Sequence, residues 1–366
     1  MASANANLHK AKGAKNDEFY TQLTDVAKEL MHYKAHFKDK IVFCNCDDPT
    51  WSAFWKYFHL NFAELGLKKL ISTHYDKEKA TYKMEYTGGN DNDIDVGVKT
   101  PLEGNGDFRN KECLDLLDEC DIVVSNPPFS LFREYVAVLM EYQKKFLIIG
   151  NQNAITYKDV FPLIRDDKIW LGSQKSCISL FFEVPEDYEV PESAHRVCVN
   201  VLGEEYCKQH HMTYMRTACW FTNMDIAKRH EKLILWKNYT PEDYPKYDNY
   251  DAINVNKTDE IPFDYDGIMG VPITFLYKYS PDQFEILGLL QSSTDEQAGI
   301  PNLRYYNDFK EMRQDMSFTG ASGGKANGNP VIKEKPLKGN FLYNPITKEY
   351  VHSVYARIVI RKKVGV

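Results

Sequence analysis

The sequence lacks any apolar run approaching the roughly 18 residues that a membrane-spanning helix needs, so no membrane partner is expected. Its opening, Met1-Ala2-Ser3-Ala4-Asn5-Ala6-Asn7, has no apolar core of the secretory kind, and residues 1–16 read as a flexible arm. Cysteine is sparse and unpatterned. Eight are scattered over 366 residues, which excludes a small disulfide scaffold and suits free thiols in a reducing cytoplasm, the expected location. Cys198, Cys207, His210 and His211 fall close together, but their spacing matches no zinc ribbon or finger, and no metal is expected. Internal repeats are absent. Positive charge is in short supply too: 45 Lys and Arg against 52 Asp and Glu give a net −7, which argues against a polyanionic partner.

The distribution of charge says otherwise. Residues 325–366 hold nine basic residues (Lys325, Lys333, Lys335, Lys338, Lys348, Arg357, Arg361, Lys362 and Lys363) and only Glu334 and Glu349 as acids. Lys10, Lys12 and Lys15 make the other end basic as well. The middle is therefore acidic, and the ends are the regions suited to phosphate. With 43% apolar residues the chain can bury a large core, and its length favours two domains.

Asp17 to Phe37 shows apolar spacing near 3.6 (Phe19, Leu23, Val26, Leu30, Tyr33, Phe37), which predicts an amphipathic helix. Ile41-Val42-Phe43-Cys44 reads as a buried strand, ending in the turn Asn45-Cys46-Asp47-Asp48-Pro49-Thr50, and Trp51 to Leu65 as a helix. Further strands are expected at 69–74, 121–125 and 145–150, with a helix over 130–142. Alternation of this kind, with β-branched strands uninterrupted by polar residues, indicates a doubly wound α/β domain. Ligands in such sheets bind at the carboxyl ends of the strands, where the turns after Cys44, His74 and Ser125 fall. Past residue 165, 177–182 and 218–221 are strand-like. Residues 239–266, with eight acids against two lysines, read as a linker or a surface-wrapping segment. Strands at 273–279 and 284–290 belong to a smaller C-terminal unit, in which Gly320 through Gly328 reads as a mobile loop. The expected division is 1–16, 17–235 and 236–366.

The segment that carries chemistry is Asp121-Ile122-Val123-Val124-Ser125-Asn126-Pro127-Pro128-Phe129, a buried strand followed at once by Asn-Pro-Pro-aromatic. Prolines also end strands for purely structural reasons. A conjugated amine, however, needs acceptors for its two hydrogens before its nitrogen lone pair can attack an electrophile. The Asn126 side-chain carbonyl and a backbone carbonyl between two prolines supply two such acceptors, and Phe129 offers a face for a planar group. No metal or covalent intermediate is needed for this positioning.

The motif resembles the catalytic motif of S-adenosylmethionine-dependent amino-methyltransferases. Its extension Ser125-Asn126-Pro127-Pro128-Phe129-Ser130-Leu131-Phe132-Arg133-Glu134-Tyr135 resembles the EcoRI-type adenine-specific DNA methyltransferase family. So do Asp17-Glu18-Phe19-Tyr20-Thr21-Gln22, Cys44-Asn45-Cys46-Asp47-Asp48-Pro49, Gly106-Asp107-Phe108-Arg109 and Gly267-Ile268-Met269-Gly270-Val271-Pro272-Ile273-Thr274-Phe275. The resemblance implies a class I, Rossmann-like fold with a mostly parallel seven-stranded sheet and a C-terminal target-recognition region.

It further implies that Asn126 and Pro127 accept from the adenine N6 hydrogens, that Pro128 holds the turn and that Phe129 stacks on a flipped base. S-Adenosylmethionine would be held by the turn Asn45, Asp47, Asp48 and Pro49, with Asp47 or Asp48 near its ammonium. That turn lacks the glycine-rich loop of many methyltransferases, which leaves open which of the four touches the cofactor, and a helix cap is the alternative role for Asp47. Asp76 would face the ribose, Asp107 and Phe108 the cofactor's adenine, and Tyr20 and Thr21 would close the pocket. Double-stranded DNA is the implied partner of a monomeric enzyme, with Lys325, Lys333, Lys335 and Lys338 on phosphate. An RNA adenine, a protein glutamine, or DNA binding without catalysis are the alternative functions.

Overall fold

Ile41-Val42-Phe43-Cys44 has no polar side chain to show to water, and it forms strand β2 with all four residues buried. The computed structural model describes residues 20–77, 80–173, 178–184, 188–291 and 297–363. The arm at 1–16, the start of the Asp17–Gln22 block and the Tyr20 side chain lie outside them. The chain divides into two compact units, Met1–Ala154 with Ile169–Ile226, and Ile155–Lys168 with Ala227–Val366.

The first unit is built on a ten-stranded sheet: β1 (Tyr20–Thr21), β2 (Ile41–Cys44), β3 (Lys69–Thr73), β4 (Tyr82–Tyr86), β5 (Val98–Pro101), β6 (Ile122–Ser125), β7 (Lys145–Asn151), β8 (Trp170–Leu171), β9 (Ile178–Glu183) and β10 (Met212–Thr222). Their order is β1-β9-β10-β7-β6-β2-β3-β4-β5, with β8 beside β10. Only β3, β2, β6 and β7 run parallel; every other pairing is antiparallel. The sheet is therefore mixed and wider than the mostly parallel seven-stranded one expected. The reason is in the connections. A parallel neighbour needs a crossover of a dozen or more residues, usually helical. The 74–81 segment after β3 and the 87–97 segment after β4 are too short, so the chain turns back on itself as a meander.

Helices α1 (Leu23–Leu30), α2 (Ala53–Leu60), α3 (Lys111–Glu119), α4 (Phe132–Glu141), α5 (Glu192–Leu202) and α6 (Glu204–Gln209) join these strands. Val26, Leu30, Tyr33 and Phe37 are fully buried, as their spacing predicts. The helix is nevertheless shorter than Asp17–Phe37, because Tyr20 and Thr21 pair with Glu183 and Phe182 as strand, and Met31–His36 tightens into a 3-10 turn. Successive strand residues face opposite sides. Val42, Cys44, Val124, Leu147 and Ile149 pack with α1 and α2, while Phe132 of α4 lies over Gly150 and Phe221 on the other face.

The second unit contains two sheets. One joins β11 (Ile253–Asn254), β12 (Met269–Pro272), β13 (Phe284–Leu290) and β19 (Arg357–Lys362) in the order β11-β12-β19-β13. The other runs β15-β14-β17-β18-β16, from β14 (Lys310–Met312), β15 (Phe318–Ser322), β16 (Val331–Ile332), β17 (Phe341–Tyr343) and β18 (Tyr350–Ser353).

Three expectations are corrected here. Ile273–Lys278 is a 3-10 turn, not a strand. The acidic 239–266 stretch is no linker: its tyrosines Tyr244, Tyr247 and Tyr250 are buried, and Tyr247 donates to Asn254 at 2.9 Å. Gly320 to Gly328 is no loose loop either, for it forms the end of β15 and a 3-10 turn over Gly323–Ala326. Gly323 sits so tightly that a Cβ would lie 2.2 Å from the Tyr306 carbonyl, and Ala326 is buried beside Tyr306 and Phe309. Close backbone approach, not freedom, explains that glycine.

Candidate active site

The parallel register sets Cys44 opposite Ser72, and Ser125 ends β6 one residue further along, so the three lie at the carboxyl ends of adjacent strands. The chain leaves β2 for β3 on one side and returns to β6 on the other, so the turns after β2 and β6 flank the point where the strand order reverses. Open α/β sheets bind ligands at this crevice.

Polar residues at the strand ends weld the turns together. Ser125 Oγ lies between the Asn45 carbonyl and Asp47 Oδ2, the latter at 2.8 Å. Asp47 Oδ1 accepts from Ser52 Oγ at 3.2 Å, and Ser52 in turn caps α2 by accepting from the Phe54 and Trp55 N–H groups. The Ser72 hydroxyl lies between the Cys44 and Asp47 carbonyls, Thr73 donates to Asn45 Oδ1 at 3.1 Å, and the Asp47 N–H reaches the Thr73 carbonyl at 2.8 Å. Asn45 and Asp47 are buried, and so is Pro49. Asp47 thus supports the helix cap from behind, where Ser52 makes the cap itself.

Asp48 faces the other way. Its Oδ1 accepts from Thr50 N–H (2.9 Å), Thr50 Oγ1 (2.7 Å) and Tyr82 OH (2.9 Å), and His74 Nε2 lies 3.6 Å from Oδ2. Burial pushes its carboxyl up, but these donors outweigh it and hold the pKa below the ordinary value. Burial lowers the His74 imidazole pKa in spite of Asp48 and Asp76 nearby. Asp76 donates its N–H to the Asn105 carbonyl at 2.9 Å, bringing the turn after β3 onto the 104–109 segment. There Gly106 has φ +73°, and a Cβ would stand 1.8 Å from the His74 carbonyl. Only glycine fits. Phe108 is buried edge-on against Tyr135, with ring centroids 4.9 Å apart, and Arg109 clamps Asp107 at 2.9 and 2.6 Å while reaching Glu134 at 2.8 Å. Burial holds the Tyr135 phenol, beside Ser125 and Asp47, well above its usual range and so neutral.

Directly after Ser125 come half-buried Asn126, with its side-chain oxygen buried, then buried Pro127. Pro128 (φ −54°, ψ 125°) leads into the 3-10 turn Phe129–Leu131, and its carbonyl accepts from the Leu131 N–H at 3.0 Å. Phe129 packs against the core of the first unit.

The family model for the adenine-specific methyltransferase EcoRI matches residues 7–363. The chain belongs to the EcoRI family of adenine-specific methyltransferases. Type II methyltransferase M.EcoRI of Escherichia coli is 48% identical over 316 residues, covering 81% of this chain and 93% of the relative. Type II methyltransferase M.MpnI of Mycoplasma pneumoniae is 37% identical, covering 77% and 85%, and M.MgeORF184P of Mycoplasma genitalium is 37% identical, covering 78% and 86%. No solved structure matches the chain. This member of the EcoRI family is a DNA adenine methyltransferase of the restriction-modification kind.

In this EcoRI-family enzyme the first unit gathers Asn45, Asp47, Asp48, Pro49, Asp76, Asp107, Phe108, Asn126, Pro127, Pro128 and Phe129 around neighbouring turns. The backbone of Tyr20 and Thr21 lies on β1 at the end of the sheet order. The four lysines lie in the second unit: Lys325 pairs with Glu311 (2.5 Å), Lys333 with Glu349 (2.7 Å), and Lys335 lies over the Phe341 ring at 4.8 Å. Lys338 is exposed and has no ion-pair partner among the described residues. Cys198 and Cys207 pack with Met212 in an apolar cluster. Sequence reasoning gave no role to Ser52, Ser72, Thr73, Tyr82, Arg109 or Ser125. The available signal was a hydroxyl residue at the carboxyl end of each apolar run, Ser72-Thr73 after Leu70-Ile71 and Ser125 after Ile122-Val123-Val124.

Proposed function

We propose that this methyltransferase acts on the N6 nitrogen of an adenine rotated out of double-stranded DNA, with S-adenosylmethionine as methyl donor. The observation that carries this reading is the Asn126-Pro127-Pro128-Phe129 turn, fixed through Ser125 at the point where the strand order reverses. A stacked, paired adenine cannot reach a turn at a strand end, so the base must leave the duplex. The Asn126 side-chain carbonyl and the Pro127 main-chain carbonyl accept one N6 hydrogen each, which turns the nitrogen lone pair away from the ring. The Pro128 carbonyl is engaged by Leu131, so Pro127 is the proline whose carbonyl serves. Phe129 supplies the stacking face.

The residues around these turns fit the cofactor's chemistry. S-Adenosylmethionine supplies a methyl group on a positively charged sulfur. Asp47 and Asp48 give the turn after β2 negative charge suited to its ammonium end, Asp76 suits the ribose hydroxyls, and Phe108 with Asp107 suits the adenine. Beside Gly106, His74 Nδ1 and Thr81 Oγ1 are buried polar atoms with no hydrogen-bond partner among the described residues, as is Thr21 Oγ1 on β1. Buried polar atoms are normally satisfied, and a polar ligand would satisfy these. The second unit, with Lys325, Lys333, Lys335 and Lys338, carries phosphate contact and target recognition in this reading.

Asn126→Ala tests the assignment. Methyl transfer to DNA should fall at least about a hundredfold, as when a preorganised polar group is removed from a reacting centre, while cofactor affinity stays within about twofold of the parent. Substantial residual turnover would overturn it.

A further inference from the structure

The connection between β16 and β17 leaves Leu337 97% exposed, far beyond the exposure that packing would give an apolar side chain on a sheet edge. Single exposed leucines are ordinary. This one is held out by its surroundings. Gln314 Nε2, from the neighbouring β14–β15 turn, donates to the Pro336 carbonyl at 3.0 Å and to the Gly339 carbonyl at 2.8 Å, stapling the tip at both ends. Gly339 has φ +85°, with nothing within 4 Å of a would-be Cβ, so it serves the turn and not a close contact. Pro336 restricts the backbone directly before Leu337. Lys335 is fixed over the Phe341 and Tyr350 rings at 4.8 and 5.8 Å, and Lys338 stands exposed on the other side of the leucine. On the adjoining turn, Arg313 donates to Ser317 and to the Phe318 carbonyl, and Met316 is 40% exposed. The acids on the two turns are Asp315, which accepts from Ser317, and Glu334, whose carboxylate lies 3.9 Å from His352, while Glu311 of β14, beside Asn340, is already held by Lys325 and Thr319.

We propose that Leu337 is a wedge that enters the base stack of the target DNA, with Lys335 and Lys338 gripping phosphates on either side. An apolar side chain set between cations on a braced tip suits a duplex, whose edge is anionic and whose interior is apolar. A protein surface of matching charge would not require the leucine to stand clear of every neighbour. The inference rests on the double-stranded DNA reading above and assigns one residue to the work of unstacking that a rotated base demands.

The test compares the full-length protein with Leu337→Ala and Lys338→Ala on two duplexes, one fully paired and one mismatched at the target adenine. On the paired duplex with 2-aminopurine in place of the target adenine, Leu337→Ala should lower the fluorescence, and on the same duplex with adenine there it should weaken binding and turnover at least fivefold. The mismatched duplex, already unstacked, should restore both to within twofold of the parent. Lys338→Ala should be equally impaired on both duplexes and show a shallower salt dependence. Parent-like behaviour of Leu337→Ala on the paired duplex, or an equal defect on both, would overturn the wedge. A parent enzyme that bound neither duplex would overturn the underlying reading itself, and that outcome is distinguished by the parent control alone.

Discussion

Ser125 Oγ donates to Asp47 Oδ2 at 2.8 Å, joining the residue before the Asn-Pro-Pro-Phe turn to the turn after the first parallel strand. Ser125 ends β6 and Asp47 lies in the turn after β2, and nothing in local sequence links them. Through Asp47 and Ser52 the same contact reaches the cap of α2. The Asn-Pro-Pro-Phe turn and the turn after β2 are therefore one hydrogen-bonded unit, which is what the proposed positioning mechanism, without metal or covalent help, requires.

Ser125→Ala removes that donor and leaves Asp47, which is 4% exposed, without it. Losing one partner of a buried hydrogen bond costs about 1–3 kcal/mol. The melting temperature should drop by several degrees, and turnover should fall more than cofactor affinity, because Asn126 is the residue displaced. A variant with unchanged melting and turnover would show that the bond positions nothing.

Gly106→Ala should damage cofactor binding. Its φ of +73° is strained for alanine, and the new methyl group would meet the His74 carbonyl, forcing the turn after β3 away from the 104–109 segment. Positive φ at a residue other than glycine costs about 1–3 kcal/mol before any clash. Calorimetric titration with S-adenosylmethionine should show at least a tenfold loss of affinity; an unchanged affinity would contradict the placement of this pocket.

The second unit has an acid-sensitive clamp. Hydrogen bonds from Arg304 and Lys333 hold the Glu349 carboxyl down to about 2, against about 4.5 for a free glutamate. Between those values the unfolded chain binds the proton and the folded one does not, so stability falls as pH falls from about 4.5 toward 2 and the contribution is complete above that window. Glu349→Gln should be less stable than the parent at pH 6 and lose less on acidification to pH 3, measured as urea midpoints. Equal losses in both proteins would remove Glu349 from the account.

Salt dependence separates the lysines. DNA affinity should decline steeply with salt, about 0.9 log units per log unit of salt for each phosphate contact. Replacing Lys338 should lower that slope by about one. Replacing Lys325 should change it less, because Glu311 already holds its ammonium at 2.5 Å. The reverse order would mean that Lys325 leaves Glu311 to bind phosphate.

The central strands and the Asn-Pro-Pro-Phe turn were legible because their signals are local. Four apolar residues in a row, as in Ile41–Cys44, and two prolines after Ser125 need no knowledge of the rest of the chain. The meander of β4 and β5 went unread although Tyr82-Lys83-Met84-Glu85-Tyr86 alternates apolar and charged residues with the period of a strand; β5, Val98-Lys99-Thr100-Pro101, is short, mostly exposed and ends in proline, and carries little signal of its own. Residues 239–266 misled through composition: acidic and proline-rich, they still bury Tyr244, Tyr247 and Tyr250 by satisfying each hydroxyl, Tyr250 through the Gly328 carbonyl and Tyr244 through the Glu260 carbonyl. The glycines of 320–328 were misread for the opposite reason, because tight packing and looseness leave the same mark in a sequence. The supporting serines and threonine of the site act across strands, and such contacts become visible only once the register is known.

The most direct test of the central claim is to incubate the enzyme with methyl-labelled S-adenosylmethionine and double-stranded DNA, digest the product and resolve its nucleosides. Label should appear in N6-methyladenine and disappear with Asn126→Ala. Label on another base, or none in DNA, would contradict it.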